Sequence, residues 1–135
     1  MRASALDMST QTASILLVED DVSLRASLRG FLEDQGFRAH MAGSVAEGRA
    51  LLREVRPTVC LLDLNLPDGS GVDLLRVIER EGLPVRAIVM SAFPPARLRG
   101  EFPESVLAAL MTKPVSPQLL LEWVDRIVRE GSGGS

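Results

Sequence analysis

Four short apolar runs in this chain lead into side chains suited to phosphate or a divalent cation. Ile15-Leu16-Leu17-Val18 is followed by Glu19-Asp20, and Val59-Cys60-Leu61-Leu62 by Asp63. The run over 85–90 is followed by Ser91, and the run over 106–111 leads to Lys113. A carboxylate beside a buried run is costly unless its charge is offset. Like charges about 4 Å apart repel by about 4 kcal/mol at an effective dielectric near 20. Lys113 relieves part of that repulsion. A hard divalent cation relieves more, and an all-oxygen site with few protein ligands suits Mg²⁺, with Mn²⁺ as an alternative. With cation and ammonium neutralising a phosphoryl group, Asp63 is the candidate nucleophile and would form an acyl phosphate. Ser91 is the candidate donor to a phosphoryl oxygen. Each residue alone has a plainer reading. An Asp at a strand end is commonly a turn residue, Asp20 or Asp21 could simply cap the first helix, and Lys113 could be a surface lysine. Their coincidence at four run ends favours chemistry.

That convergence requires elements that bring the run ends together. Strand 1 covers Ile15–Val18. Apolar residues Val22, Leu24, Leu28, Phe31 and Leu32 then recur at helical spacing up to Gln35, and Gly36 is a natural stop. A weak strand over 37–42 follows. Ser44 and Glu47 fit a capping box opening a second helix through Val55. Strand 3 spans Thr58–Leu62, a third helix Val72–Glu81 ends at Gly82, and strand 4 spans Val85–Met90. Pro94, Pro95, Gly100 and Pro103 crowd the place of a fourth helix and predict a short or distorted one. Strand 5 covers Val106–Met111. Ser116-Pro117 caps a last helix to Arg129 whose core face carries Leu119, Leu120, Trp123, Val124 and Ile127.

Strand and helix therefore alternate five times. Runs without clean polar alternation predict strands covered on both faces, hence a parallel sheet. With right-handed crossovers, the expectation is an α/β, flavodoxin-like (βα)5 doubly wound five-stranded sheet of order 2-1-3-4-5. Ligands of such sheets bind beyond the carboxyl ends of the strands, here between strands 1 and 3.

The 135 residues suit one domain. Residues 1–13 and the Gly/Ser-rich 131–135 read as a disordered segment and a tail or linker stub, flanking a domain over 14–130. The net charge of -3 argues against nucleic-acid or membrane-surface binding, which favour basic faces. The single cysteine, Cys60, excludes an internal disulfide and a thiolate cluster, and it reads as a core residue. No run is long enough to span a bilayer, and the first residues lack a signal-peptide core, so a cytoplasmic protein is expected. The one histidine, His40, falls on the weak second strand and reads as structural. With no Gly-rich nucleotide loop either, the phosphate donor must be another protein or a small acyl phosphate.

ILLVEDD, LLDLNLPDGSG, IVMSA and TKP, in this order and spacing, resemble the receiver domain of two-component response regulators over residues 14–129. The resemblance implies that Asp63 accepts a phosphoryl group from the phosphohistidine of a sensor histidine kinase or a phosphotransfer protein. It implies that Asp20, Asp63 and the backbone carbonyl of Asn65 bind Mg²⁺ directly, with Glu19 acting through water, and that Ser91 and Lys113 read the phosphoryl group. It further implies a cis Lys113–Pro114 bond. The partner acted upon would be a downstream protein or an output domain. The receiver would be a monomer or a phosphorylation-dependent dimer, with no catalysis beyond accepting and slowly losing its own phosphate.

Two features depart from that family. Leu110 stands where a Tyr or Phe is usual, three residues before the Lys, so coupling through an aromatic rotamer lacks its ring. The segment FPPARLRGEFPES over 93–105 occupies the fourth helix; it reads either as a rearranging signalling element or as a passive loop. Two other functions compete: a pseudo-receiver that binds without phosphorylation, and a small Asp-nucleophile phosphohydrolase. The acidic set argues against the first. Asn65, where such hydrolases want a second Asp, argues against the other.

Overall fold

The computed structural model describes residues 13–93 and 102–133. Its sheet strands are β1 (Ser14–Val18), β2 (Arg38–Ala42), β3 (Val59–Asp63), β4 (Arg86–Ser91) and β5 (Leu107–Thr112). The helices among the described residues are α1 (Val22–Asp34), α2 (Val45–Val55), α3 (Gly71–Glu81) and the C-terminal α4 (Pro117–Gly133). All pairings in the main sheet are parallel, in the order β2-β1-β3-β4-β5. This is the flavodoxin-like arrangement expected.

Successive strand residues point to opposite faces, and the apolar runs split accordingly. Leu16, Val18, Cys60, Leu62, Ala87 and Val89 pack with Leu52 of α2 and Leu74, Leu75 and Ile78 of α3. Ile15, Leu17, Val59, Leu61, Ile88 and Met90 pack with Leu28 and Leu32 of α1 and Leu120, Val124 and Ile127 of α4. Two cores back to back explain why β1, β3 and β4 show no polar alternation. Each fully buried Leu or Ile contributes about 1.5–3 kcal/mol, so the central strands are held firmly, and their carboxyl ends with them.

Several local expectations need correction. Leu119 is 46% exposed, whereas Trp123 is half-buried and packs against the core as expected, and Val128 joins it. The buried row is 120/124/127/128, and Leu119 lies about 100° off it, beside the Trp123–Arg126 cation–π pair. Val22, the first residue of α1, is 67% exposed because it lies about 200° from Leu24 on the helix. At α2, Ser44 accepts from the Glu47 N–H at 3.1 Å, but the Glu47 carboxylate takes the Gly43 N–H at 2.7 Å, one residue before the cap. The box expected there is therefore not closed on Ser44. A reciprocal box closes instead at α3, between Ser70 and Asp73.

α4 runs past Arg129 to Gly133, so the helix takes in the start of the stretch read as linker. Ala13, read as disordered, accepts the Arg38 N–H at 3.1 Å. The rest of that segment, and residues 94–101 of the expected fourth helix, lie outside the described residues. Helix ends follow backbone chemistry: Gly36 and Gly82 adopt positive φ after α1 and α3, and Ser116 accepts the Leu119 N–H at 3.3 Å at the start of α4.

Candidate functional site

Register brings the run ends together. Val18 is opposite Leu62, so Glu19 follows β1 level with Asp63, the last residue of β3. Asp63 is opposite Met90, and Ser91 lies one residue beyond on β4. Ser91 is opposite Thr112, which places Lys113 at the same edge. The Lys113–Pro114 bond is cis.

Lys113 Nζ donates to Glu19 Oε1 and to Asp63 Oδ2, both at 2.8 Å. Glu19 and Asp63 are buried, while Asp20 is exposed at the rim. One ligand atom from each of Glu19, Asp20 and Asp63 lies within 4.8 Å of the others. Three carboxyl groups thus cluster where Lys113 bonds two of them, an acidic set whose charge a divalent cation would offset. Oxygen donors with a solvent-facing member also fit an ion that keeps several waters. The remaining oxygens of the two buried acids are held by backbone: Glu19 Oε2 accepts the Asp21 N–H at 3.0 Å, and Asp63 Oδ1 the Asn65 N–H at 3.1 Å.

Burial pushes the Glu19 carboxyl above the usual range, against the opposing pull of Lys113 and the Asp21 amide. For Lys113, burial alone would lower the ammonium, but its bonds to Asp63 and Glu19 outweigh burial and raise it. It stays charged through the physiological range.

The cap ambiguity at Asp20-Asp21 resolves cleanly. Asp21 caps α1, accepting the Leu24 N–H at 3.0 Å, which leaves Asp20 to the acidic cluster. Ser91 is buried; its hydroxyl accepts the Phe93 N–H at 3.0 Å and its carbonyl the Lys113 N–H at 2.7 Å. Asn65 opens a short antiparallel pair, Asn65–Leu66 with Gly69–Ser70, that turns the chain into α3. Leu110 is half-buried and packs against the α2/α3 core, as do Phe102 and Leu107. His40 sits half-buried on β2, opposite Leu16. Cys60 is fully buried and its thiol is pushed up to about 12.

Three supporting residues escaped the sequence reading. A Cβ on Gly71 would lie 2.4 Å from the Asp63 carbonyl oxygen, so α3 can start against the Asp63 backbone only with glycine there. The second glycine of PDGSG was a visible signal for this. Arg25 Nη1 donates to the Glu19 carbonyl at 3.1 Å, pinning the acidic loop from α1. Asp68 accepts the Val45 and Ala46 N–H groups at 2.7 and 3.0 Å. No local pattern announces a contact across more than twenty residues.

Comparison with known proteins agrees with this geometry. The model of the response regulator receiver domain matches residues 15–125. The DNA-binding response regulator MtrA of Mycobacterium tuberculosis is 38% identical over 79 residues, covering 58% of this chain and 35% of that protein. The probable transcriptional regulatory protein y4xI of Sinorhizobium fredii is 31% identical over 117 residues, covering 87% of this chain and 51% of its own length. The chain thus spans about a third to a half of these relatives. A CheY-like response regulator receiver domain from Methanospirillum hungatei superposes with a TM-score of 0.82 at 25% identity, over 92% of this chain and 99% of that one. The receiver domain of a LuxO repressor homologue from Vibrio parahaemolyticus shares the fold, with a TM-score of 0.84 at 23% identity, over 90% and 93% of the two chains.

Proposed function

The chain belongs to the response regulator receiver family of two-component signalling, and from that premise we propose that it is a phosphoryl-accepting switch with Asp63 as the acceptor. The observation that carries this reading is the Lys113 ammonium held at 2.8 Å from both Glu19 and Asp63 at the carboxyl edge of the sheet.

In the proposed reaction an Asp63 carboxylate oxygen attacks the donor's phosphorus. The new O–P bond forms as the donor's P–N or P–O bond breaks, and the leaving group departs with the electron pair. The donor is a histidine kinase, a phosphotransfer protein or a small acyl phosphate, since His40 lies opposite Leu16, before the carboxyl end of the sheet. The Asn65 amide and Lys113 orient the two Asp63 oxygens. Lys113, freed from Asp63 as the acyl phosphate forms, is the ammonium for one phosphoryl oxygen, and Ser91 donates its hydroxyl to another. Asp20, Asp63 and the Asn65 carbonyl would hold Mg²⁺, or Mn²⁺. Glu19 would act through water. When bound, the cation supplies charge neutralisation at the phosphoryl group.

The phosphorylated form would change affinity for a downstream protein or an output domain. MtrA is named as DNA-binding, which supports the second arrangement. Among the described residues no helix is long and apolar enough to cross a membrane, in keeping with action in the cytoplasm.

The test is incubation with acetyl phosphate, with Mg²⁺ or with EDTA, followed by intact mass. A single phosphoryl adduct is expected, dependent on the cation and lost in Asp63→Asn. No adduct with any donor would point to a pseudo-receiver, and rapid turnover of unrelated phosphomonoesters to a hydrolase.

A further inference from the structure

The loop that follows the acceptor is tied to the rest of the fold on both sides. On its near side the Asn65 N–H meets Asp63 Oδ1, and the Gly71 N–H meets the Leu64 carbonyl at 2.9 Å. Between them the chain forms the two-residue antiparallel pair, with Leu66 buried in the core. On its far side the tip reaches across to α2. Asp68, itself exposed, places Oδ1 2.7 Å from the Val45 N–H and Oδ2 3.0 Å from the Ala46 N–H. Gly69, at φ 156°, leaves the tip close enough that an added Cβ would touch Val45 at 3.4 Å.

The helix end divides its donors between two sources. Ser44, the local cap, serves Glu47, while the first two amides of α2 are served from the other loop. A negative carboxylate at a helix N-terminus is favoured by the helix dipole as well as by the hydrogen bonds. Asp68 is therefore the side chain that joins α2 to the loop carrying Asn65.

We infer that Asp68 is a positioning residue for phosphoryl acceptance: by clamping the 65–70 hairpin to α2 it fixes the Asn65 backbone carbonyl in the place where a divalent cation is held. The inference rests on the reading of Asp63 as acceptor and Asn65 as a cation ligand. It separates two effects. Loss of the clamp displaces one carbonyl ligand, so cation affinity falls. Asp63 and Ser91 end strands β3 and β4 and Lys113 directly follows β5, so the rate at saturating cation survives.

The experiment compares the wild-type chain with Asp68→Ala and Asp68→Asn, the latter keeping one acceptor oxygen. Acetyl phosphate incorporation is followed by intact mass across a Mg²⁺ series. Amide hydrogen exchange is measured without metal. In Asp68→Ala, exchange should rise over 65–70 and at Val45 and Ala46. The half-saturating Mg²⁺ should rise about tenfold, the low end for loss of an outer-shell support. The rate at saturating Mg²⁺ should stay within about twofold. Asp68→Asn should fall between.

Unchanged exchange over 65–70 in both variants would overturn the clamp. Increased exchange with an unchanged Mg²⁺ midpoint, or a rate loss that saturating Mg²⁺ does not recover, would overturn the positioning role. If the wild type itself shows no cation-dependent adduct, the acceptor reading fails and the positioning role fails with it, while the exchange arm still reports on the clamp by itself.

Discussion

Gly71→Ala perturbs Asp63, the proposed acceptor, through its own backbone. The added Cβ would sit 2.4 Å from the Asp63 carbonyl oxygen and 2.5 Å from Leu62 Cδ1, where Cβ contacts under 3.0 Å essentially never occur. Leu62 can adjust its side chain, but the carbonyl cannot move without its peptide. The shortfall requires a shift of about 0.6 Å between β3 and the start of α3. Overpacking of this kind costs about 1–3 kcal/mol, and the gain in helix propensity offsets at most about 1 kcal/mol of it. A domain with an overall stability of about 5–15 kcal/mol stays folded. Chemistry is less forgiving, because reacting groups need placement within about 0.5 Å, and a misplacement of about 1 Å costs roughly 100-fold. The variant should therefore unfold at slightly lower urea and take phosphate from acetyl phosphate about tenfold more slowly at saturating Mg²⁺. Urea denaturation followed by Trp123 fluorescence and intact-mass time courses measure the two effects. Wild-type values for both would refute the close approach and with it the stated role of Gly71.

Lys113→Met should leave Glu19 and Asp63 facing each other without an ammonium. Breaking such a pair costs roughly 3–5 kcal/mol, toward the low end here because the lysine is 24% exposed. The loss should appear as a lower urea midpoint in EDTA, partly recovered by Mg²⁺, and an unchanged midpoint in EDTA would contradict it. The amides of Val45 and Ala46 hold the Asp68 carboxyl below its ordinary value of 3.8. Its contribution is thus present above that value and lost only as pH falls through the lower folded value. A carboxyl NMR titration with a midpoint at or above 3.8 would contradict this. Burial pushes the Cys60 thiol up to about 12, so at mildly alkaline pH it should resist alkylation in the native chain and react once urea unfolds it. Equal rates in both states would show that the β3 core opens readily.

Much of this site was legible because strand register is short-range and repetitive. Four apolar runs of similar length, each followed directly or within two residues by a polar group, can align only one way in a parallel sheet of this order. Glu19, Asp63, Ser91 and Lys113 therefore reach one edge. The errors arose where a pattern is satisfied by more than one geometry. Ser44 and Glu47 have the spacing of a capping box, yet the glutamate found the Gly43 amide. Leu119 carries an apolar side chain at a helix start but falls outside the row that faces the sheet. Gly71 stood in the sequence only as the second glycine of PDGSG; its reason, the proximity of the Asp63 carbonyl, exists only once α3 is packed. Asp68 and Arg25 act across loops, and their partners depend on the tertiary fold rather than on local spacing.

The central claim is that the acceptor is Asp63, and chemical trapping tests it most directly. After reaction with acetyl phosphate and Mg²⁺, borohydride reduces an aspartyl phosphate to homoserine, which peptide mass spectrometry locates in the sequence. The expected result is homoserine at position 63, none at Asp20, Asp21 or Asp68, and none when Mg²⁺ is withheld. Homoserine at another aspartate, or an adduct that resists borohydride and sits on a serine or histidine, would contradict it.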